Sequence, residues 1–419
     1  MDFANYNSTA ILNKNVNFIR NEFQSYYKKN IVESVIDINK REFGIGDYGK
    51  KISARHLNFN SNDDLNYYLR TKTPFFISYS TSYFKYPERR PMSNKEWLGS
   101  DIVYEFDSDD FDLPCHDKHN VWVCSNKECN SSGYGNLTIC PKCNSNTKIT
   151  QWTCKDCLGF AKKESLRLID FLENEFNLDP STFIISFSGS KGYHIRITDK
   201  SIIPLSKSAR LQLVDYIKGT NLDLKKLGYH KDKKHWFCPK PDNLKGWSKK
   251  IMISIINTVN LDKKELISKF KIGSKKAQTI IDNKEVILNS LYNKFLWSNF
   301  NGAFNFWTDV LNKAIKENSF DIDASSSVDV YKIMRAPDTL HGGSGFLSNL
   351  IKDVDLLKSF DAFYDPIVLD TKNTKKVRIV QKTPEFKFLD NYYGPYEVGE
   401  IIEVNIAQAV FLILKGAGI

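Results

Sequence analysis

Ile102-Val103-Tyr104-Glu105-Phe106-Asp107-Ser108-Asp109-Asp110 is the stretch from which the rest of the chain is read. Three β-prone residues lead into a run of acids. In a strand, residues i and i+2 share a face. Glu105 and Asp107 therefore project together, with Asp109 next if the strand continues. Carboxylates held this close repel, and a divalent cation is the usual reason to keep them so. Taken alone, the run is equally well explained as a solvated acidic turn after a strand.

Around it lies a chain of 419 residues, 41% hydrophobic and 13% aromatic, enough for a sizeable core. That length suits one large domain with appendages, or two to three domains. The net charge of +10 is dispersed and suits a polyanionic partner, nucleic acid or nucleotide, although solubilising lysine gives the same balance. Met1-Asp2-Phe3-Ala4-Asn5 lacks the basic end and apolar stretch of a signal peptide. The longest apolar run, Ile406 to Leu414, is far short of the ~20 residues that span a bilayer. The expectation is a cytoplasmic protein with no membrane association, whose cysteines are metal ligands rather than disulfides.

Residues 1–40 carry apolar residues near helical spacing (Phe18, Phe23, Tyr26). Arg41-Glu42-Phe43-Gly44 then opens an irregular basic and aromatic stretch that includes Arg55 and His56. Ser61-Asn62-Asp63-Asp64 signals a helix start, and Phe75 to Tyr79 a strand. Lys162 to Phe176 has Leu166, Ile169 and Leu172 on one side of a helix that stops near Asp179-Pro180. Thr182 to Phe187 and Tyr193 to Ile197 read as strands flanking a tight loop. Residues 205–318 are lysine-rich and mostly helical, without chemical motifs. Val377 to Val380 and Glu400 to Val404 read as strands before a final apolar helix.

Seven of the eight cysteines fall within residues 113–158. Cys140/Cys143 and Cys154/Cys157 are Cys-x2-Cys pairs, and Cys124 and Cys129 add a third, wider one. Such pairs sit on turns that aim two thiolates at one tetrahedral ion. A nested arrangement gives two zinc ions. Cys124, Cys129, Cys140 and Cys143 form an inner site, and Cys115, His119, Cys154 and Cys157 an outer one. His116 can stand in for His119, and a single zinc with surplus thiols is the other partition. Closed Cys/His sites are structural, and zinc binding would stabilise folding by ~10–16 kcal/mol on zinc-finger peptide values. Cys238 stands alone and receives no role.

Two further stretches carry chemistry. In Ser188-Gly189-Ser190-Lys191-Gly192-Tyr193-His194, the glycines let backbone N–H groups approach an anion. Ser188, Lys191 and His194 can donate to phosphate oxygens. A plain hairpin explains the same residues, and no helix follows as a Walker motif requires. In the second, Asp321-Ile322-Asp323 precedes Asp329 and then Arg335-Ala336-Pro337-Asp338-Thr339-Leu340-His341-Gly342-Gly343. An acidic pair, an anion loop and a further acid/cation set are the inventory of two-metal nucleotidyl transfer.

With these blocks assembled, the chain resembles the small catalytic subunit of archaeal and eukaryotic DNA primases, the archaeal form most. The resemblance runs from about Arg41 to the C-terminus and weakens in the helical middle. Arg41-Glu42-Phe43-Gly44 is similar to the family's Arg-Glu-Trp-Gly, and Asp101 to Asp107 to its Leu-Val-Phe-Asp-Ile-Asp metal strand. Ser188 to His194 is similar to Ser-Gly-x-Arg-Gly-x-His, and Arg335 to Gly342 to Arg-Leu-Pro-x-Ser-Leu-His-Gly. A Cys/His insertion lies between the second and third blocks.

The resemblance implies an α/β (α+β) primase catalytic core with an RNA-recognition-like (RRM-like) sheet, the prim-pol core. A zinc-binding module and an inserted helical subdomain accompany it. The core would occupy residues 1–204 and 319–419, with the zinc module at 113–158 and the insertion at 205–318. Glu105, Asp107 and Asp323 would hold two catalytic Mg2+ or Mn2+ ions. Ser188, Lys191, His194, Arg335 and His341 would hold the triphosphate, with Arg55 near the nucleotide. The implied activity is DNA-templated synthesis of short RNA or DNA primers in replication, by a DNA-directed RNA polymerase of the primase type. The implied partners are a primase large subunit in a heterodimer, a single-stranded DNA template, NTPs or dNTPs, and other replication proteins. A repair or end-joining polymerase on the same core and a catalytically silent zinc-bearing scaffold are the alternatives. The chain departs from the pattern at Glu105 (an aspartate in the family), Lys191 (an arginine) and Gly343 (usually a lysine). Weaker nucleotide binding is the expected consequence.

Overall fold

A computed structural model describes residues 9–233 and 235–419 of the chain. It contains two compact units, one made of residues up to Arg210 together with Asp323–Ile419, the other of Leu211–Ile322. The class is mixed helix and sheet, as the sequence suggests.

The elements of the first unit that bear on the site are, in chain order, α1 (Thr9–Lys29), β1 (Phe43–Asp47), β2 (Lys50–Leu57), α2 (Asn62–Lys72), β3 (Phe76–Ser80) and β4 (Ile102–Asp107). Next come β5 (Val121–Cys124), β6 (Ser132–Tyr134), β7 (Thr147–Thr150), α3 (Lys155–Phe176), β8 (Phe183–Phe187) and β9 (Gly192–Ile197). After the second unit follow α4 (Ala324–Val328), β10 (Ile333–Arg335), β11 (Leu350–Ile351), β12 (Thr374–Arg378), β13 (Ile401–Asn405) and α5 (Ile406–Leu414).

Two four-stranded antiparallel sheets frame the site. One has the order β10-β3-β1-β2, the other β11-β8-β9-β4. In β4 the pleat buries Ile102, Tyr104 and Phe106 on one face and leaves Glu105 and Asp107 partly exposed on the other. Helix α3 packs on β4 and β9, with Leu158, Ala161, Ser165, Leu168 and Leu172 forming its buried stripe at i, i+3 and i+4. Beneath the first sheet, Ile19, Phe23 and Tyr27 of α1 and Leu65 and Leu69 of α2 join one core with Phe43, Ile77 and Tyr79.

Several local expectations are corrected. The strand does not continue to Asp109: it ends at Asp107, and Ser108–Asp110 form a single 3-10 turn that takes Asp109 off the acidic face. The stretch after Arg41 is not irregular but the β1–β2 hairpin, closed where Gly49 supplies φ +68. Of residues 1–40, the α-helix covers Thr9–Lys29 and a 3-10 turn Ile38–Lys40, and residues 1–8 lie outside the described part. Helix α3 starts at Lys155, seven residues before the apolar stripe suggested, because Cys154 and Cys157 cap its N-terminus.

The second unit packs five helices (Gly246–Val259, Lys263–Phe270, Ser274–Asp282, Lys284–Tyr292 and Ala303–Asn318) around a core of Ile251, Ile255, Leu266, Trp307 and Val310. It also contains three short paired strands, at His230–Lys231, Trp236–Phe237 and Phe295–Leu296, that the helical reading missed. The lone Cys238 is buried in this core. In the first unit, α5 is almost wholly buried, so the longest apolar run is a core helix. Among the described residues, no helix is long and apolar enough to cross a membrane.

Candidate active site

The register of β4 against β9 sets the site. His194 lies directly opposite Glu105, and Gly192 opposite Asp107. A Cβ on Gly192 would meet the Phe106 carbonyl oxygen at 1.9 Å, so only glycine lets the loop close on the acidic strand. Glu105 Oε1 stands 3.7 Å from His194 Nε2. Its Oε2 accepts from the Ser326 hydroxyl and, at 3.0 Å, from Lys332 Nζ. Burial pushes the Glu105 carboxyl up, but the charge His194 carries when protonated, the Ser326 hydrogen bond and Lys332 outweigh it and hold it below the ordinary value. Burial, against the pull of Glu105, takes His194 down to about 4, so the ring is neutral.

Asp107 is the strained member. Burial and the charges of Asp109, Glu105 and Asp110 push its carboxyl up to about 7. Its Oδ1 is buried without a hydrogen-bond partner, and so is Oδ1 of Asp109. Buried carboxylate oxygens left unpaired are costly, and a cation is one partner that would satisfy them. The Oδ2 of Asp109 instead binds Lys191 Nζ at 2.6 Å. Asp323 is the N-cap of α4, its Oδ1 accepting from Ser325 N–H at 2.9 Å. Its Oδ2 lies 2.8 Å from Ser326 Oγ, the hydroxyl that also meets Glu105. One serine thus bridges two acids more than two hundred residues apart.

The anion-loop residues arrive from two directions. Ser188 Oγ accepts the backbone N–H groups of Lys191 and Gly192, each at 3.1 Å, which closes the loop and leaves its proton free to donate outward. Lys191 Nζ also contacts Gln151 Oε1. Gly189, at φ +78, sits so close to the His341 turn that a Cβ would meet His341 Cβ at 2.8 Å. There, Ser344 Oγ donates to the Gly189 carbonyl. The backbone N–H of Gly343 donates to His341 Nδ1 at 3.0 Å. Burial and nearby cations hold His341 well below its ordinary pKa. The ring is therefore neutral and, by that hydrogen bond, carries its proton on Nε2. Arg335 has Nη1 buried and unpartnered and its guanidinium 5.2 Å from the Phe76 ring centre. Arg335 and His194 line the same small crevice. Arg55 donates from Nε to Glu42 at 2.9 Å and from Nη2 to the Tyr331 carbonyl, next to Lys332.

All nine acidic-site and nucleotide residues named from the sequence are therefore linked into one neighbourhood. The acids are not tightly clustered: among the described residues, the groups whose donor atoms all lie within 4.8 Å of one another are two Cys/His sets. Three participants were missed. Lys332 and Ser326 are the partners of Glu105, and Asp101 anchors the strand from below. Its buried carboxylate takes Arg41 Nη2 and Arg196 Nη1, each at 2.9 Å, and Tyr83 Oη at 2.8 Å. The Ser-rich run after Asp323 was the available signal for Ser326, since serine next to an N-cap aspartate marks a helix start.

The two Cys/His sets are Cys124, Cys129, Cys140 and Cys143, and Cys115, His119, Cys154 and Cys157. Tetrahedral zinc with Zn–S bonds of ~2.3 Å places sulfurs about 3.8 Å apart. Cys124 and Cys143 Sγ are 3.4 Å apart, Cys129 and Cys140 3.7 Å, and Cys157 Sγ is 3.8 Å from His119 Nε2. Both sets could hold zinc. The inner set hangs on the β6-β5-β7 sheet, with Cys124 ending β5. The outer set uses the start of α3, where Cys157 Sγ accepts from Cys154 N–H at 3.1 Å and the helix N-terminus favours thiolates. His116 is buried beside His119 but outside the set, while His119 Nδ1 meets Asn120 Oδ1 at 3.1 Å, the outer partner expected of a ligating histidine.

Residues 150–351 match the family model described as DNA primase small subunit. The chain is 26% identical over 405 residues to the DNA primase small subunit PriS of Nitrosopumilus maritimus, across 96% of this chain and 97% of that one. It is 26% identical over 425 residues to PriS of Methanococcoides burtonii, across 96% and 97%. To PriS of Staphylothermus marinus it is 28% identical over 339 residues, across 81% and 78%. The likeness to the small subunits of DNA primase extends over most of the chain.

Proposed function

We propose, on the premise that this chain is a relative of the DNA primase small subunits, that it is the catalytic subunit of a DNA primase. It joins ribo- or deoxyribonucleotides on a single-stranded DNA template, as a nucleotidyltransferase of the DNA-directed RNA polymerase type. A large subunit completes the enzyme in a heterodimer, and other replication proteins are its wider partners. Residues 1–204 and 319–419 form the catalytic core, 113–158 its zinc module and 205–318 an insertion.

The observation that carries this reading is the buried, unpartnered Oδ1 of Asp107, whose charge is felt by Arg335, on the strand it shares with Glu105. Held by Glu105, Asp107 and Asp323, Mg2+ or Mn2+ would activate the attacking 3′-hydroxyl and offset charge on the leaving pyrophosphate. The chain's own groups do the rest. Arg335, with a free Nη1, and Lys191 neutralise the triphosphate. Ser188 Oγ–H and the Nε2–H of His341 donate to its oxygens without adding charge. His194, held neutral opposite Glu105, donates to the triphosphate without adding charge beside the acids. Positioning and charge stabilisation account for most of the rate in phosphoryl transfer. The Gly343 N–H, where the family usually has a lysine, fixes the His341 tautomer.

The test is primer synthesis with and without the large subunit, on single-stranded template with Mn2+ and NTPs or dNTPs. Wild type makes labelled product and Asp107→Asn makes none. Equal product from both preparations removes Asp107 from the site. Product only on a pre-primed template reports a repair-type polymerase, and no product under any divalent metal reports a scaffold.

A further inference from the structure

Lys332 Nζ sits 3.0 Å from Glu105 Oε2 and 2.6 Å from Ser326 Oγ. Ser326 Oγ meets that same Oε2, and Asp323 Oδ2 at 2.8 Å. A hydroxyl has one proton and an ammonium three, so the lysine is the reliable donor in this group. Ser326 accepts from Lys332 and gives its proton to one acid at a time. Oε2 of Glu105 is therefore committed to Lys332, while among the described residues Oε1 is paired only with His194, at 3.7 Å, beyond hydrogen-bond reach. One carboxylate oxygen is tied back and one is open.

That asymmetry bears on which ion the site accepts. Ca2+ takes six to eight oxygen ligands and commonly uses both oxygens of a carboxylate, whereas Mg2+ demands near-octahedral geometry with few, singly held carboxylates. Glutamate is one methylene longer than aspartate and swings more readily into a two-oxygen grip. An unrestrained Glu105 would therefore relax discrimination against Ca2+. We propose that Lys332, seated by Ser326, is a specificity-determining residue that holds Glu105 to one available oxygen and so biases the acidic site against Ca2+. The proposal rests on the reading of Glu105, Asp107 and Asp323 as cation ligands.

The experiment uses the zinc-loaded full chain and follows the free Mn2+ signal by electron paramagnetic resonance, with Ca2+ as competitor. It needs no turnover. Lys332→Met keeps the length of the side chain and removes the charge. Its Ca2+-to-Mn2+ affinity ratio should rise about tenfold over wild type, because specificity is a difference of two affinities. Ser326→Ala should shift the ratio the same way by less, and Lys332→Arg, which can still hold Oε2, should restore it to within about twofold. A Lys332→Met ratio within about twofold of wild type overturns the proposal while leaving the acidic site standing. Loss of Mn2+ binding in Lys332→Met overturns it as well, since the lysine would then assemble the site rather than select its ion. Wild type that binds no Mn2+ overturns both this inference and the metal-ligand reading beneath it.

Discussion

Asp101→Asn should loosen the acidic strand without touching an acid of the site. Asp101 immediately precedes β4, and its side chain is 0% exposed. Oδ2 takes Arg41 Nη2 and Arg196 Nη1, both at 2.9 Å, and Oδ1 takes Tyr83 Oη at 2.8 Å. Arg41 precedes β1 in the first sheet and Arg196 lies in β9 of the second, so one carboxylate ties the two sheets together. Asparagine keeps the shape but removes the negative charge that the two buried guanidiniums share. Breaking a buried pair from one side costs ~3–5 kcal/mol. Each guanidinium keeps other partners. Arg41 donates to the Ser80 and Thr81 carbonyls and lies 3.5 Å from the Tyr83 ring centre, and Arg196 lies 3.9 Å from that of Tyr79. Those contacts place the loss at the lower end, about 3 kcal/mol. Amide hydrogen exchange in peptides covering β4 and β9 should then speed up by about two orders of magnitude. Exchange there within about threefold of wild type would refute the view that this charge cluster holds the sheets in register.

Replacing Cys157 with serine should lower the zinc content from two ions per chain to one and expose the start of α3 to proteolysis; unchanged zinc by elemental analysis would contradict the outer site. Gly189→Ala puts a Cβ 2.8 Å from His341 Cβ at φ +78, so it should cost ~1–3 kcal/mol and raise the KM for nucleotide more than it lowers kcat. Burial, with Lys191 adding repulsion, brings Lys415 down to about 8 from 10.5. The folded state therefore binds fewer protons than the unfolded between those values, and wild-type stability should rise with pH across that window. Lys415→Met should be the more stable protein at pH 7, with its advantage shrinking toward pH 10.5; a constant gap in denaturant midpoints across the window would show that Lys415 is not the titrating group.

The sequence by itself determined the local chemistry. Acid spacing in Glu105-Phe106-Asp107, the two Cys-x2-Cys pairs and the glycines at 189 and 192 are constraints between near neighbours. Strand pleat, metal-ligand spacing and loop sterics all act over a few residues, so each was legible before any fold was known. The nested partition of the cysteines was the simplest reading of their order, with a single zinc left open, and the fold gathers the two sets that it names. Only the tertiary structure decided which side chains answer those motifs. Lys332 and Ser326 reach Glu105 from a segment more than two hundred residues away, Asp101 gathers arginines from two sheets, and Gln151 shares Lys191 with Asp109. Such contacts follow from strand order and crossover, which no local period encodes. The same holds for Asp109, which alternation placed beside Asp107 and a single 3-10 turn carried off the strand to meet Lys191.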